Sequence, residues 1–175
     1  MHLRRLTPDD APAFREIRAE MCRLPPEAFG QTPEEADATP DDRLLEWMAP
    51  SDTYPEKFVL AAFDTDPAGH ERLLATVAFR REDTIKERHR GWIWSVYVRQ
   101  EGRGRGLARS LMEQVIDESR RIDGLEMLTL TVALTQTAAR ALYTSLGFFT
   151  TGLILHGYKL PDNRYVDHEE MILWL

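Results

Sequence analysis

The most informative part of the sequence is the stretch Arg103-Gly104-Arg105-Gly106-Leu107-Ala108. It follows the apolar run 92–98 after four residues and directly precedes a segment with helical periodicity, so it is predicted to connect a strand to a helix N-terminus. Glycines in such a turn let backbone N–H groups converge on an anion, and the helix dipole adds a favourable potential. The stretch therefore predicts a phosphate-binding loop.

The spacing of the glycines excludes two common phosphate-binding motifs. A dinucleotide-binding G-x-G-x-x-G would need a glycine at Leu107 or at Arg109, and a Walker loop would need a lysine that does not follow these glycines. The pattern that fits is R-x-x-G-x-A, which Arg103, Gly106 and Ala108 provide. In this loop the chain resembles the acetyl-CoA-dependent N-acetyltransferases of the GNAT superfamily.

A second motif of the same superfamily follows the loop. The pattern N-x-x-A-x-x-L-Y-x-x-x-G-F is matched in register by Ala139, Leu142, Tyr143, Gly147 and Phe148. Gln136 departs from the pattern, because the superfamily usually has Asn there. The resemblance implies that Tyr143 is the general acid that protonates the CoA thiolate as it leaves. A phenol suits this role, since its reference pKa of about 10 keeps it protonated at neutral pH.

The order of predicted elements extends the resemblance over nearly the full length. The periodicity and the turn signals predict a strand at 3–6, a helix between a Thr7 cap and Pro25-Pro26, a helix at 41–48, strands at 58–63, 73–79 and 92–98, a helix ending at Asp123-Gly124, a strand at 128–132, a helix at 136–146 capped by Thr135, and strands at 148–155 and 165–174. The resemblance implies an α/β GNAT fold, a single mixed, mostly antiparallel twisted sheet of about seven strands flanked by four helices.

Composition limits the class of protein. A chain of 175 residues with 43% hydrophobic and 29% charged residues is typical of one globular domain, here 1–175, and no apolar run is long enough to span a bilayer. The start of the chain has no apolar signal-peptide core, and the single cysteine, Cys22, allows no intrachain disulfide. These features predict a cytoplasmic protein that is not bound to membranes.

The charge distribution disfavours nucleic acid as a partner. The net charge is −7, whereas a general nucleic-acid binder carries excess basic charge. Four arginines nevertheless surround the loop, namely Arg99, Arg103, Arg105 and Arg109. Together with the glycines they favour a phosphate-rich small ligand.

The resemblance implies further cofactor contacts. Acetyl-CoA, the expected cosubstrate, would be held by the strand residues Val96, Tyr97 and Val98, by the loop residues Arg103, Gly104, Arg105, Gly106, Leu107 and Ala108, and by the helix residues Gln136, Ala139 and Tyr143. A backbone N–H of the strand would polarise the thioester carbonyl. The amine would attack directly within a ternary complex, with no acetyl-enzyme.

The general base is not fixed by the sequence. Many relatives place a carboxylate on the strand before the loop, where this chain has Trp94 and Ser95. Glu27 is the base candidate, the last strand offers Asp167, His168, Glu169 and Glu170, and a water molecule is the remaining alternative. The five histidines are scattered without ligand spacing, so no metal is predicted.

The acceptor also stays open. A primary amine of a small molecule or of a protein fits the resemblance, and Trp47, Trp92 and Trp94 are either core residues or the wall of an acceptor pocket. A homodimer is an open alternative to a monomer. A non-catalytic CoA-binding or regulatory module on the same fold is the alternative to an enzyme.

Overall fold

Residues 1–24, 26–48 and 56–175 are described by a computed structural model of the chain. Their strands are β1 (His2–Arg5), β2 (Lys57–Thr65), β3 (Glu71–Arg81), β4 (Arg90–Val98), β5 (Met127–Ala133), β6 (Phe149–Lys159) and β7 (Tyr165–Trp174). Their helices are α1 (Ala11–Arg23), α2 (Pro33–Asp37), α3 (Asp41–Met48), α4 (Leu107–Ser119) and α5 (Thr137–Ser145). Two short 3₁₀ turns, Pro8–Asp10 and Gln100–Gly102, precede α1 and the phosphate-binding loop.

All seven strands form one sheet in the order β1-β2-β3-β4-β5-β7-β6. Every neighbouring pair is antiparallel except β4 and β5, which are parallel. The predicted mixed, mostly antiparallel sheet is therefore confirmed, and β2, β3 and β4 form an antiparallel meander within it. The parallel pair lies at the centre of the sheet, where the crossover through α4 connects its two strands.

Helices cover both faces of the sheet. One face packs against the first helices through the buried side chains Phe14, Ile17 and Met21 of α1 and Leu44 and Met48 of α3. The opposite face packs against α4 and α5 through Leu107, Leu111, Met112, Val115, Ile116 and Tyr143. Apolar spacing of three and four residues along α1 and α4 produces these stripes. None of the helices in the described ranges is long and apolar enough to cross a bilayer.

The structure contains one helix more than the four predicted. Helix α2 is a five-residue helix in the polar segment between α1 and α3. Its start is a capping box, in which the Glu35 N–H donates to Thr32 Oγ1 at 3.2 Å and the Thr32 N–H donates to Glu35 Oε2 at 2.8 Å. The sequence Thr32-Pro33-Glu34-Glu35 carries this signal, which the prolines of the segment obscured.

Three predicted boundaries are wrong. Helix α1 begins at Ala11, because Thr7 caps the 3₁₀ turn before it. Helix α4 ends at Ser119, since the Ile122 N–H donates to the Ser119 carbonyl in a tighter turn. Strand β6 continues to Lys159 beyond an irregularity in its pairing with β7. Of the predicted Pro25-Pro26 helix stop, Pro25 lies outside the described residues.

The buried Gly91 of β4 gives a stability prediction. A Cβ at this position would lie 2.5 Å from Phe79 Cε2 and 3.0 Å from Leu128 Cδ2, so two packed side chains would have to move. We expect Gly91→Ala to lower the free energy of unfolding by about 1–3 kcal/mol, as overpacking typically does. Gly152→Ala on β6 is the matched control, because nothing lies within 4 Å of its Cβ. Equal urea midpoints for the two variants would contradict the prediction.

Candidate active site

The central feature of the site is a cleft between β4 and β5. The two strands pair over only three positions, from Arg90 with Met127 to Trp92 with Thr129, and no further pairing follows in the described part of these strands. The strands then separate around a cavity of about 1180 Å³. Its walls come from the ends of both strands, from α5, and from α1 and the segment after it. The β4 edge along this cleft is therefore free to pair with an extended ligand.

A β-bulge shapes the β4 side of the cleft. Ser95 and Val96 together lie opposite the single β3 residue Val77, between the pairs Ala78 with Trp94 and Thr76 with Tyr97. Ser95 has a φ of +50°, a conformation that non-glycine residues seldom adopt. Its carbonyl accepts a hydrogen bond from Thr76 Oγ1 at 3.0 Å, which fixes the irregular backbone. A bulge takes one residue out of the ladder, so β4 can present backbone groups to the cleft here.

The predicted phosphate-binding loop connects β4 to α4 as expected. Gly104 and Gly106 have φ values of +74° and +76°, which other residues reach only with strain, and Gly106 is the N-cap of α4. In the described parts of the chain, nothing accepts a hydrogen bond from the backbone N–H groups of residues 104–109. The helix ladder begins only where the Ser110 N–H donates to the Gly106 carbonyl at 3.0 Å. Consecutive N–H groups without a partner at a helix N-terminus are the arrangement that the predicted anion-binding role requires.

The arginines near the loop do not form one cluster, and this corrects the sequence interpretation. Arg99 is 4% exposed and pairs with two α1 carboxylates, Glu16 at 2.8 Å and Glu20 at 3.2 Å. These two carboxylates compensate its charge, so it is not available to a ligand. The apolar run at the end of β4 contained the signal, because alternation along the strand places position 99 on the same face as Tyr97 and away from the solvent.

The three remaining arginines differ in their partners. Arg105 donates to Asp64 Oδ2 at 3.1 Å, and Arg109 donates to Ser145 Oγ at 2.6 Å. Arg103 donates to the Val98 carbonyl at 3.3 Å and has no carboxylate partner among the described residues. Since Arg103 also lines the cleft, it is the arginine best placed to add positive charge beside the loop.

Tyr143 lies on α5 with its side chain 5% exposed, and it lines the cleft. Its ring lies 6.1 Å from the ring of Phe148, and its hydroxyl has no hydrogen-bond partner in the part of the chain that is described. Burial raises the pKa of the Tyr143 phenol well above its ordinary value. The phenol is therefore protonated at neutral pH and faces a cavity in which a partner for it can be placed.

Helix α5 ends as the motif leads us to expect, but it does not begin at the predicted cap. Gly147 of the motif has a φ of +95°, and the Phe148 N–H donates to the Tyr143 carbonyl at 3.0 Å, so α5 ends in a left-handed C-cap. The predicted Thr135 cap is wrong, because the N-cap residue is Gln136. Gln136 lines the cleft, and its Nε2 lies 3.5 Å from Glu27 Oε1. The structure thus brings together Gln136 and Glu27, two residues singled out by separate arguments.

The predicted cofactor residues divide into three groups, of which the loop residues Gly104, Arg105 and Gly106 are exposed and are not among the residues that line the cleft. Val96, Val98, Arg103, Ala108, Gln136, Ala139 and Tyr143 line the cleft. Tyr97 also borders it, but its hydroxyl donates to Glu20 Oε1 at 2.9 Å, and burial with this bond raises its pKa to about 12. Leu107 is 2% exposed in the core. For Tyr97 and Leu107, only the backbone is available to a ligand.

The base candidates on β7 are held by other groups. Glu169 accepts hydrogen bonds from Arg140 and from Thr150 Oγ1, and the Arg140 bond lowers the pKa of the Glu169 carboxyl. Asp167 accepts the His156 N–H at 2.7 Å. Neither carboxylate is among the described residues that line the cleft. The same is true of Glu27, which reaches the site only through Gln136.

His168 and Glu170 also lie away from the cleft lining. The His168 ring contacts the Tyr158 ring at a centroid distance of 4.1 Å, and burial lowers the pKa of the imidazole. Glu170 lies 3.6 Å from Arg90. Of these residues only Tyr158 lines the cleft, so His168 is behind a tyrosine rather than at the surface of the cavity.

Sequence reasoning missed Arg18, which lies on the α1 side of the cleft. Arg18 is 5% exposed and lines the cavity beside Trp47 and Trp94, whose rings meet edge to face at 5.6 Å. Arg18 is four residues after Phe14, so the helical period places it next to the buried face of α1. A charged residue next to the buried face of α1 was the sequence signal that could have identified Arg18. Trp47, Trp92 and Trp94 all border the cleft, and Trp47 and Trp94 also pack against the core, so the structure does not separate the two alternatives for them.

Comparison with solved structures defines the class of this fold. A GNAT-family acetyltransferase from Streptococcus pneumoniae superimposes with a TM-score of 0.84 at 20% identity, covering 99% of each chain. A GCN5-related N-acetyltransferase from Kribbella flavida gives 0.81 at 25% identity, covering 99% of this chain and 97% of that one. The putative acetyltransferase yncA from Salmonella typhimurium, solved with its cofactor acetyl-CoA, gives 0.78 at 24% identity, covering 100% and 94%.

The sequence itself identifies the family. The profile of the Acetyltransferase (GNAT) family matches residues 14–148, which include the cleft strands, the loop and α5. The chain therefore belongs to the GNAT acetyltransferase family. No curated protein matches its sequence.

Proposed function

We propose that this protein transfers the acetyl group of acetyl-CoA to a primary amine by direct attack in a ternary complex. The observation that carries the proposal is the row of unpartnered N–H groups at residues 104–109, next to a cleft that also contains Tyr143. The loop supplies donors for a pyrophosphate. Tyr143 supplies a protonated phenol for the departing thiolate. The two features serve the two ends of one cofactor.

The free β4 edge supports the position of the rest of the cofactor. Backbone groups of Val96 and Val98 would pair with the pantetheine arm as an additional strand would. The bulge at Ser95 and Val96 would direct a backbone N–H to the thioester carbonyl, where it stabilises the developing oxyanion. The Salmonella typhimurium structure with acetyl-CoA has the same fold, which supports this choice of cosubstrate.

Few groups in the cleft could act as the general base that deprotonates the amine. Three carboxylates line the cleft, and each has a cationic partner: Glu20 with Arg99, Glu46 with Arg43, and Glu101 with Arg72. We keep Glu27 as the proposed base, acting through water, because it lies beside Gln136 at the edge of the cavity. The neutral amine can also enter from solution.

Two measurements test the proposed function. We expect acetyl-CoA to raise the Tm of the protein in a concentration-dependent way, since a ligand that binds only the folded state stabilises it. We also expect at least one amine in a broad panel to release free CoA thiol, with the acetylated product seen by mass spectrometry. Thermal stabilisation without turnover by any amine or protein acceptor would favour the non-catalytic CoA-binding module. Lack of stabilisation would contradict both proposals.

We also make proposals about the cellular location of the protein and about its assembly state. The composition favours a cytoplasmic location with acetyl-CoA and an amine as the partners, and neither nucleic acid nor membrane lipid is required. Exposed apolar side chains on the edge strand β6, Leu153, Ile154 and Leu155, are compatible with a homodimer. Light scattering of the purified protein measures its mass in solution.

A further inference from the structure

Arg18 is a buried cation on the side of the cleft opposite α5. Its side chain is 5% exposed, yet it borders the cavity. The guanidinium carbon lies 4.3 Å from the ring centre of Trp47 and 5.7 Å from that of Trp94. Aromatic faces stabilise a guanidinium in part, but they do not neutralise its charge.

The hydrogen bonds of Arg18 leave most of its donors without a partner. A guanidinium has five N–H donors. Nη1 donates to Ser95 Oγ at 3.0 Å, and Nη2 donates to Gln31 Oε1. Nε is buried and has no partner in the described structure, and the same holds for the neighbouring Trp94 Nε1. Both partners of Arg18 are neutral, so no residue in the described part of the chain pairs with its positive charge.

Arg99 shows what the same chain does with a second buried arginine. Arg99 is 4% exposed and pairs with the carboxylates of Glu16 and Glu20. Arg18 has no carboxylate partner among the described residues, and burial lowers its pKa to about 10, so it remains charged at neutral pH. Burying a charge without a counterion is costly. A site that accepts this cost in the free protein is prepared for an anion that arrives with a ligand.

We propose that Arg18 binds a carboxylate of the acceptor, so that the acceptor is an amino acid or a closely similar small amine that carries a carboxylate. The inference rests on the proposed acetyl transfer and specifies the acceptor. Guanidinium and carboxylate match as a planar two-bond pair. The phosphates of the cofactor have their own donors at residues 104–109, after the end of β4, whereas Arg18 contacts β4 at the bulge. Trp47 and Trp94 form an aromatic wall that favours an apolar or aromatic side chain on the acceptor.

Matched acceptor pairs test this proposal. The release of CoA thiol is measured for each common amino acid and, where available, for the amine that lacks its carboxylate, such as L-tryptophan with tryptamine and L-phenylalanine with phenethylamine. We expect kcat/KM to favour the amino acid in at least one pair by about tenfold or more, the effect of one charged hydrogen-bonding pair. Wild-type protein that reacts with the amines as well as with the amino acids, or with no amino acid at all, overturns the proposal.

Variants separate the role of Arg18 from a structural one. Arg18→Met should remove the preference by lowering kcat/KM for the amino acid, with little change for the decarboxylated amine, while Arg18→Lys should restore part of it. Arg43→Met is the control and should keep the preference for the amino acid. Arg43 lies over the same Trp47 ring at 5.5 Å, but it is paired with Glu46 at 2.6 Å. Equal loss with both substrates in Arg18→Met would mean a structural role and would overturn the proposal.

The same experiment distinguishes failure of this inference from failure of the proposed function. Turnover of amines that lack a carboxylate, without any preference for amino acids, leaves acetyl transfer supported and removes the role of Arg18. Absence of acetyl-CoA stabilisation and of all thiol release removes both. The Tm shift caused by acetyl-CoA in Arg18→Met shows whether the variant folds and keeps its cofactor site.

Discussion

Replacing Tyr143 with phenylalanine is expected to lower kcat for acetyl transfer by about 10²-fold or more, while the Kd for acetyl-CoA stays nearly unchanged. The substitution removes one hydroxyl that has no hydrogen-bond partner in the described structure, so the fold loses little. The thiolate of CoA then leaves without a proton donor in a buried site. Stopped-flow thiol release gives kcat, and calorimetry gives the Kd.

Tyr158→Phe is the matched control for this prediction. Tyr158 lines the same cleft, and burial raises the pKa of its phenol as well, but it lies on β6 against His168 rather than on α5. We expect this variant to keep most of the wild-type kcat. Because the pKa of Tyr143 is raised, its phenol stays protonated through the neutral range, so it should not cause a fall in kcat below pH of about 10. An unchanged kcat in Tyr143→Phe would remove Tyr143 as the proton donor.

Gly106→Val is expected to weaken acetyl-CoA binding by about 10²-fold or more, because it affects the loop twice. The residue has a φ of +76°, which a β-branched side chain disfavours strongly, so the N–H groups of the loop would be displaced. Its Cβ would meet no protein atom within 4 Å and would project into open space beside the loop, where the proposal places the pyrophosphate. Calorimetric titration with acetyl-CoA measures the loss.

Gly69→Val separates loss of binding from backbone strain. Gly69 has a φ of +88°, nothing lies within 4 Å of its Cβ, and it lies in the turn between β2 and β3. Both variants should therefore lose similar stability in urea. Only Gly106→Val should lose acetyl-CoA, and wild-type affinity in that variant would refute the phosphate-binding role of the loop.

The features that the sequence predicted correctly depend on local chemistry. The loop and the C-cap of α5 require glycine at Gly106 and Gly147, and such requirements are visible as single letters. The helical stripe from Leu107 to Val115 specifies which face of α4 is buried. These local signals predicted the order of the elements, and the resemblance to the GNAT superfamily then implied how the strands are arranged in one sheet.

The features that it missed depend on distant residues. Arg18 and Ser95 meet although 77 positions separate them, and Arg99 reaches Glu16 across 83 positions. Whether an arginine is a free charge, a core ion pair or an uncompensated cation depends on such contacts. For that reason, the sequence placed Arg99 in a ligand site and overlooked Arg18. The bulge at Ser95 escaped prediction because strand alternation gives no sign of an extra residue.

Helix α1 connects the two halves of the proposed site. Glu16 and Glu20 of this helix hold Arg99 just before the phosphate-binding loop, and Arg18 lies between them in sequence. All three fall within little more than one helical turn of about 5.4 Å. One helix thus contacts both the end of β4 before the loop and, in the proposed ternary complex, the acceptor.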